Sequence, residues 1–459
     1  MRYSVRTPFV TTALVVFLGG VMTMLDSTVV NVALTTLAHD FRTTPAAMQQ
    51  AVTGYLLAMS MTVPVTGWAV GRFGSRRVWL VSLVLFAGGS TLCAAAWSAG
   101  SLVAFRAVQG IGGGLLMPVG QAMLAQAAGK ERMGRAMALI TVPSMLAPVL
   151  GPPLGGLVVE GLGWRWLFLV NLPISAVALV AAALLLPREP DPAAAPRQPL
   201  DVLGLALLSP GLAALIHGLS EAGDSEVGGG ASFAHPALWI GLALVAAFTV
   251  RALRVPGALV DLRLLGDRTF AAAVAALACY SAAMLGFTVL VPLHSQLEGG
   301  GGPLEAGLLL APLGIGAALT LPIAGKLTDS RGARGVAATG VAAVVAGIAA
   351  FAAFPGPVPI LVAGLGHGLV STSVLAAAYA TLEREAIPAA TTLSTIALRL
   401  ASSFGVAVLA VLLQLLSAAG TARPFGYAFG CAAALAALSL VPIVLIGSKA
   451  WRRSSSAPA

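Results

Sequence analysis

Charged residues are scarce in this sequence. Asp, Glu, Lys and Arg make up 9% of the 459 residues, whereas soluble globular domains carry about 25%. Apolar residues make up 58%, so a soluble fold is excluded. Acidic residues are the rarer sign, with 17 Asp and Glu against 26 Lys and Arg and a net charge of +9. A balance this basic indicates a nucleic-acid partner unless the charges follow another pattern.

Cysteine is nearly absent as well. Cys93, Cys279 and Cys431 each lie in an apolar run, without a CxxC pair or a histidine-spaced cluster, which excludes a disulfide framework and a metal site. The glycine runs at 110–114 and 299–302 lack the lysine and hydroxyl of an ATP-binding loop. We therefore expect no metal and no nucleotide-driven chemistry, and we interpret the first glycine run as helix packing.

Long apolar runs are what the sequence has instead. A helix that crosses a bilayer needs about 20 mainly apolar residues. Fourteen such runs occur, approximately at 10–38, 46–70, 78–97, 101–127, 134–159, 166–186, 201–220, 236–252, 269–293, 304–325, 335–354, 358–381, 390–418 and 424–447. The first continues too far for a cleaved signal peptide. We predict an all-α polytopic membrane protein with 14 transmembrane helices, in which the Pro- and Ala-rich stretch at 187–199 is an exposed linker.

The basic residues follow the loops between these runs. If the amino terminus is cytoplasmic, the inner loops and tails hold 21 Lys and Arg residues and the outer loops hold three. Because Lys and Arg are enriched in cytoplasmic loops, we predict that both termini are cytoplasmic. The basic charge is thus a topology signal, and we expect a lipid bilayer rather than nucleic acid as a partner.

A loop motif occurs twice. The second span is followed by GWAVGRFGSRRV at 67–78 and the tenth by GKLTDSRGARGV at 325–336, and an offset of 258 residues superimposes the two. Transporters that alternate access are built from such repeats around a central site. We predict a six-helix bundle at 1–186, a linker with two additional helices at 187–268, and a second six-helix bundle with a short cytoplasmic tail at 269–459. The alternative is that a Gly- and Arg-rich turn is simply what a short inner loop looks like.

One acidic residue, Asp26, lies deep inside a predicted span. An ionisable group at membrane depth is costly, so a functional role is the default hypothesis. Arg106 lies in the fourth span at a depth from which the two side chains can face each other. Burial disfavours a charged carboxylate and a nearby guanidinium favours it, so a movement that changes their separation would switch proton binding.

We predict that Asp26 is the proton carrier and a docking point for a cationic substrate, with Arg106 as its modulator. The alternative is a permanent ion pair that only fixes helix packing, since removing one partner of a buried pair is destabilising by itself.

Four further segments carry a family resemblance: LDSTVVNVAL at 25–34, RAVQGIGGG at 106–114, APVLGPPLGG at 147–156 and WRWLFLVNLP at 164–173. Together with the loop motif, they resemble in order and position the motifs of the fourteen-helix drug:proton antiporters of the major facilitator superfamily. The resemblance covers nearly the whole chain. It implies two six-helix bundles with two inserted central helices, and export of lipophilic drugs or antibiotics, cationic ones included, in exchange for protons.

The resemblance also assigns motif residues. It implies that the fifth-helix motif marks an exporter, through Pro148, Gly151, Pro152, Gly155 and Gly156; the alternative is a bent packing helix. It implies that the two loop motifs gate the inner side, through Gly67, Arg72, Gly74, Arg76 and Arg77 in the first copy and Gly325, Asp329, Gly332 and Arg334 in the second. The first copy departs from the family, because Gly71 stands where an acidic residue is usual.

Six residues are predicted to line the substrate cavity: Tyr55, Gln109, Met117, Gln121, Tyr280 and Arg399. For Arg399 three roles stay open, namely binding an anionic group, pairing across the halves, or extending towards the inner surface. His367 is interpreted as a packing residue rather than a proton relay. We expect protons and a drug-like small molecule as the other partners, and a monomer in a bacterial plasma membrane that is driven by the proton gradient without a cofactor.

Two other functions compete with export. A proton-coupled importer of a small metabolite or osmolyte would share the fold, and the fifth-helix motif weighs against it. A polytopic membrane enzyme would need a cluster of polar catalytic residues near one surface, whereas the sequence offers one deeply placed acid with an arginine partner. We therefore predict that the protein is not an enzyme.

Overall fold

The computed structural model describes residues 7–129, 132–187, 199–224, 235–255, 257–298 and 303–446. The side chains at 7–8, 28, 31, 45–46, 142–150, 152–153, 220–224, 303–304 and 306 are outside this description. Most of the predicted linker at 187–199 and the glycine run at 299–302 lie outside it as well, as do the side chains of Pro148 and Pro152.

The regular elements in the described ranges are all helical. The α-helices are α1 Thr7–Val29, α2 Leu34–Asp40, α3 Pro45–Thr62, α4 Val65–Phe73, α5 Ser75–Ala94, α6 Ala99–Ala128, α7 Met133–Leu162, α8 Trp166–Leu169, α9 Asn171–Leu185, α10 Val202–Asp224, α11 Pro236–Arg254, α12 Arg268–Leu297, α13 Pro303–Leu308, α14 Ala311–Arg331, α15 Ala333–Ala353, α16 Pro357–Ala380, α17 Ile387–Ala418, α18 Pro424–Leu438 and α19 Leu440–Leu445. Short 3-10 turns occupy Val30–Ala33, Leu262–Gly266 and Arg384–Ala386. No strand occurs in these ranges, so the all-α prediction is confirmed there.

Within the described residues, 12 helical stretches are long and apolar enough to cross a membrane. The predicted spans at 46–70 and 134–159 are not among them. The first is divided into α3 and α4, and the second lies in α7, where the side chains at 142–150 and 152–153 are outside the description. The division has a local cause. Pro64 stands between α3 and α4, and proline has no N–H with which to continue the backbone hydrogen bonds of a helix.

The first half, α1–α9, and the second half, α12–α19, are packed through glycines at corresponding places. In α6, Gly112 lies so close to α5 that an added Cβ would be 2.5 Å from the backbone nitrogen of Phe86. In α16, Gly366 lies against α15 in the same way, and an added Cβ would be 2.7 Å from the nitrogen of Val344. Contacts this short leave no room for a side chain. The interpretation of the first glycine run as helix packing is confirmed.

These contacts reveal a repeat beyond the loop motif. Phe86 and Val344 take the same part in α5 and α15 and are 258 residues apart, whereas Gly112 and Gly366 in α6 and α16 are 254 apart. The run GIGGG at 110–114 therefore corresponds to GLGHG at 364–368. The chain from Val344 to Gly366 is therefore four residues shorter than the chain from Phe86 to Gly112.

The hairpin of α10 and α11 packs against both halves, since α10 contacts α3 and α17. Ser209 of α10 donates a hydrogen bond to the carbonyl of Met61 at 2.6 Å. Asp201 closes the hairpin, because its Oδ1 accepts from Nη2 of Arg251 and from the N–H of Gly204, each at 2.8 Å. Burial raises the pKa of a carboxyl group, but these hydrogen bonds outweigh it and hold the pKa of Asp201 below its ordinary value.

Candidate functional site

Asp26 of α1 is buried in the first half, and both of its carboxylate oxygens accept hydrogen bonds. Nη1 of Arg106 in α6 donates to Oδ2 at 2.6 Å, in an ion pair whose two side chains have no exposed surface. Gln109 Nε2 of α6 and Asn171 Nδ2 of α9 donate to Oδ1 at 2.9 and 2.8 Å. The two ionisable residues that the sequence places at matching depths are therefore in direct contact.

Ser90 of α5 extends this network. Its hydroxyl donates to the carbonyl of Phe168 at 2.8 Å and accepts from Gln109 at 3.2 Å and from Asn171 at 3.1 Å. Nη1 of Arg106 also donates to Oε1 of Gln109 at 2.9 Å. Each donor around the carboxylate is thus held in place by a second hydrogen bond, so the orientation of the site is fixed by several helices.

Local sequence explains how α6 reaches Asp26. Arg106 and Gln109 are three residues apart and therefore share one face of the helix. Gly89 of α5 lets that face approach, because an added Cβ at Gly89 would be 2.6 Å from Cα of Gln109. The helix begins in a capping box, in which Ser98 and Ser101 bond reciprocally to each other's backbone N–H groups.

The Arg106 guanidinium is stabilised on one side by an aromatic ring. Its central carbon lies 3.9 Å from the centroid of Tyr55 of α3, a distance typical of a cation–π interaction. Two of its nitrogens, Nε and Nη2, are buried without a hydrogen-bond partner among the described residues. Each unpaired buried donor costs about 1–3 kcal/mol, so a conformation that supplies partners would lower the free energy of this side chain.

The six predicted cavity residues divide by exposure. The buried side chains are Tyr55, Gln109 and Tyr280. The partly exposed side chains are Met117, Gln121 and Arg399. Tyr55 and Gln109 belong to the Asp26 site. In this conformation the buried side chains therefore pack inside the bundles, whereas the partly exposed ones present some surface.

Tyr280 contacts another helix of the second half, and Arg399 contacts a helix of the first half. The hydroxyl of Tyr280 in α12 lies 2.6 Å from Nδ1 of His367 in α16, and the two rings are stacked. His367 is thus part of a pair rather than a lone packing residue. Nη1 of Arg399 in α17 donates to Oγ of Ser60 in α3 at 2.8 Å, so this arginine bonds across the two halves.

The second loop motif joins the halves through Asp329 of α14. Its Oδ1 accepts from the backbone N–H of Gly134 at 2.8 Å, and its Oδ2 accepts from Nε of Arg135 at 3.0 Å. Both partners lie at the start of α7. Gly325 brings the helices together, because an added Cβ there would be 3.1 Å from Cα of Arg135.

The first loop motif makes the corresponding contact without an acid. Gly67 of α4 lies against α17, where an added Cβ would be 3.3 Å from Oγ1 of Thr392. Gly67 also faces Cα of Ala389 and the carbonyl of Pro388, which correspond at an offset of 254 to the atoms of Arg135 and Gly134 that Gly325 faces. Gly71 occupies the position of Asp329, and an added Cβ there meets nothing within 4 Å.

The remaining loop-motif residues have plainer roles. Gly74 and Gly332 have φ values of 82° and 88° and connect α4 to α5 and α14 to α15, a conformation that side chains disfavour. Nη2 of Arg76 donates to the carbonyl of Ala183 at 2.6 Å and so attaches the turn to α9. Among the other arginines of the two motifs, Arg72 is partly exposed, whereas Arg77 and Arg334 are exposed.

The fifth-helix motif lies in α7 beside the end of α1. Gly155 packs against α1, where an added Cβ would be 3.1 Å from Cγ1 of Val29. Gly151 is buried, and Gly156 faces open space. One glycine of the motif therefore mediates close packing just beyond Asp26.

Asn171 and Ser90 are members of the site that the sequence did not predict. Asn171 lies in the segment WRWLFLVNLP, where a single amide interrupts an apolar run; that interruption is a usable signal. Ser90 offers none, because small hydroxyl residues are common in transmembrane helices.

The fold and the site define a class: a helical, multi-pass membrane protein with repeated packing in two halves and a buried ion pair in the first. The sequence profile described as Major Facilitator Superfamily matches residues 16–406. The chain belongs to this family, whose members are transporters rather than enzymes.

Two relatives with similar sequences carry drug-resistance names. The chain is 39% identical over 412 residues to the "Multidrug resistance protein B homolog" of Mycobacterium tuberculosis (strain ATCC 25618 / H37Rv), covering 88% of this chain and 76% of that protein. It is 34% identical over 304 residues to the "Putative multidrug resistance protein MdtD" of Serratia proteamaculans (strain 568), covering 66% of this chain and 62% of that protein.

Solved structures agree on the fold. The human organic anion transporter MFSD10 has a TM-score of 0.64 at 16% identity, covering 96% of this chain and 100% of that chain. The proton:xylose symporter XylE has a TM-score of 0.63 at 14% identity, covering 95% of this chain and 94% of that chain. At these identities the likeness concerns the fold alone.

Proposed function

We propose that this protein exports lipophilic small molecules in exchange for protons by alternating access. The observation that carries the proposal is the ion pair of Asp26 and Arg106, buried at membrane depth and joined at 2.6 Å. Such a pair is costly in a membrane, which favours a functional role. The multidrug-resistance names of the relatives support drugs as the cargo.

Asp26 is the proton carrier in this proposal. The carboxylate takes up a proton from the outside and becomes neutral, so Arg106 loses its counter-charge. The unpaired nitrogens of Arg106 then favour a rearrangement in which the guanidinium finds other partners. The proton leaves to the inside when the carboxylate is again required to balance Arg106, and the substrate moves outward in the opposite phase.

The proposed arrangement has fourteen spans. The bundles at 1–186 and 269–459 flank the region 187–268, in which α10 and α11 are two additional spans. Both termini lie in the cytoplasm of a bacterium, the protein acts as a monomer in the plasma membrane, and the proton gradient drives it without a cofactor. The contacts of α10 with α3 and α17 are consistent with insertion beside the seam between the bundles.

Dye transport in inside-out proteoliposomes with an acidic lumen tests the exchange. Wild type should accumulate the lipophilic dye Hoechst 33342 and release protons from the lumen, and a protonophore should abolish both. Asp26→Asn should abolish both, because an amide cannot take up the proton, whereas Asp26→Glu should retain part of the activity.

The matched control is Asp40→Asn, at an acid of α2 whose side chain is half exposed and pairs with Arg165 at 3.6 Å; it should transport as wild type does. Undiminished gradient-driven accumulation by Asp26→Asn would remove Asp26 as the carrier. Accumulation that survives the protonophore would rule out proton exchange.

A further inference from the structure

Arg399 is a cation inside α17 that has no carboxylate partner in the described ranges. It lies near the middle of a helix that is long and apolar enough to span a membrane. Among the described residues, no ion pair involves it. Its hydrogen bond is to Ser60 Oγ at 2.8 Å, and the side chain is partly exposed.

Ser60 does not neutralise this charge. Its own hydroxyl donates to the carbonyl of Leu56 at 2.9 Å, so it offers Arg399 a neutral oxygen and nothing more. A guanidinium has five N–H donors in a planar fork that matches a carboxylate in two parallel hydrogen bonds. Arg399 therefore has unused donors with the geometry that recognises an oxyanion.

The protein's own deep acid is already occupied. Asp26 has no exposed side-chain surface, and its oxygens accept from Arg106, Gln109 and Asn171. A cationic ligand has no access to this carboxylate in the present conformation. Arg399 presents surface and has no counter-charge among the residues that the structure describes, so the chemistry available to a ligand here is that of a cation.

We infer that Arg399 is a binding subsite for a carboxylate or similar oxyanion of the transported molecule. This inference rests on the proposed function and specifies its substrate class: lipophilic molecules that carry an anionic group. Molecules that carry only positive charge bind without a contact to Arg399.

Binding of two matched dyes tests the subsite. Rhodamine B and its ethyl ester share the xanthene rings and differ in one free carboxylate. Fluorescence anisotropy with the full chain in nanodiscs, corrected with empty nanodiscs, measures both affinities at equilibrium and without a gradient. Wild type should bind rhodamine B about tenfold more tightly than the ester, since a hydrogen bond to a charged group contributes about that factor.

Arg399→Gln should lower the affinity for rhodamine B about tenfold and leave that for the ester within about twofold. Arg399→Lys should keep part of the preference, and Arg423→Gln, at an exposed arginine before α18, should keep all of it. Equal affinities in wild type, a preference that survives Arg399→Gln, or a parallel loss for both dyes would overturn the inference. This assay measures binding and no flux, so a failure of proton-driven export would not change its result. A failure of the binding preference would likewise leave the transport result unchanged.

Discussion

The first half, α1–α9, and the second half, α12–α19, share their packing but not their charges. Glycines at corresponding places bring α5 to α6 and α15 to α16, and Gly67 and Gly325 take equivalent parts where the halves meet. The first half has the buried pair of Asp26 and Arg106. Among the described residues of the second half, the acidic residue that lies within a long helix is Asp329, near the end of α14.

The two loop motifs differ in the same way. Asp329 bonds to the start of α7, whereas Gly71 at its counterpart in the first half meets nothing. Backbone packing is thus repeated, whereas each of these two charged contacts occurs in one half only among the described residues. This difference teaches that close packing maintains the scaffold in both halves, while charge gives each half its own task. Changes to the scaffold should then cost the same in either half, and changes to charge should not.

Arg106→Met should cause the largest loss of stability, because it leaves the carboxylate of Asp26 buried without a counter-charge. Breaking a buried pair in this way costs about 3–5 kcal/mol. Arg399→Met in the second half removes no ion pair and one hydrogen bond to Ser60, which costs about 1 kcal/mol. Thermal unfolding of the purified variants in detergent measures both.

The double variant Asp26→Asn/Arg106→Met is the control for this comparison. It leaves no charge at this buried site, so it should be more stable than Arg106→Met alone. Together with Asp26→Asn and wild type, it completes the cycle that gives the coupling energy of the pair. Equal losses for Arg106→Met and Arg399→Met would mean that the buried pair gives the first half no special dependence on charge.

The sequence was sufficient for the parts of the site that are conspicuous in an apolar chain. Asp26 and Arg106 stand out because an ionised side chain in a span is rare, and helix periodicity places them at matching depths. Ser90 could not be found in this way, because a hydroxyl group costs little in a transmembrane helix and its partners come from α6, α8 and α9. Such contacts depend on tertiary packing.

The repeat was only partly predictable for a different reason. An offset of 258 aligns the loop motifs but places Gly112 on Val370, so the glycine runs of α6 and α16 go unmatched. Only the packing contacts reveal that the offset falls to 254 there. The break between α3 and α4 was missed because hydropathy continues across Pro64, and hydropathy does not detect a lost backbone hydrogen bond.

Gly89→Ala and Gly347→Ala should cost similar amounts, because these glycines take the same part in the two halves. An added Cβ would lie 2.6 Å from Cα of Gln109 in the first case and 2.6 Å from the nitrogen of Ala363 in the second. Overpacking of this kind costs about 1–3 kcal/mol. Thermal unfolding in detergent again provides the measurement.

Gly88→Ala is the matched control for this pair. Gly88 is exposed, and an added Cβ there meets nothing within 4 Å. Alanine should therefore be neutral or stabilise the helix by up to about 1 kcal/mol. The chain already has Ala346 at the corresponding position of the second half. A loss at Gly89 with none at Gly347 would show that the two scaffolds are not equivalent.

Asp329→Ala should give the smallest of these effects, on the equilibrium between conformations rather than on folding. The variant loses an ion pair to Arg135, whose side chain is 53% exposed, and such pairs contribute less than about 1 kcal/mol. It also loses the hydrogen bond from the N–H of Gly134, about 1 kcal/mol more. A total of about 1–2 kcal/mol corresponds to a roughly 5- to 30-fold shift towards the conformation in which α7 and α14 separate.

Gly71→Asp tests the same contact from the first half and should shift the equilibrium little. Gly134 lies in the first turn of α7, where backbone N–H groups lack helical partners. Its counterpart at the offset of 254 is Pro388 in the first turn of α17, which has no N–H to donate. Ala389 stands where the second motif finds Arg135, so a new carboxylate would find neither partner. Spin labels on Arg77→Cys and Gly335→Cys, at corresponding positions in the two halves, report the distance between the halves by double electron–electron resonance. A shift for Gly71→Asp as large as that for Asp329→Ala would mean that the acid alone makes the contact, and that the start of α7 adds nothing to it.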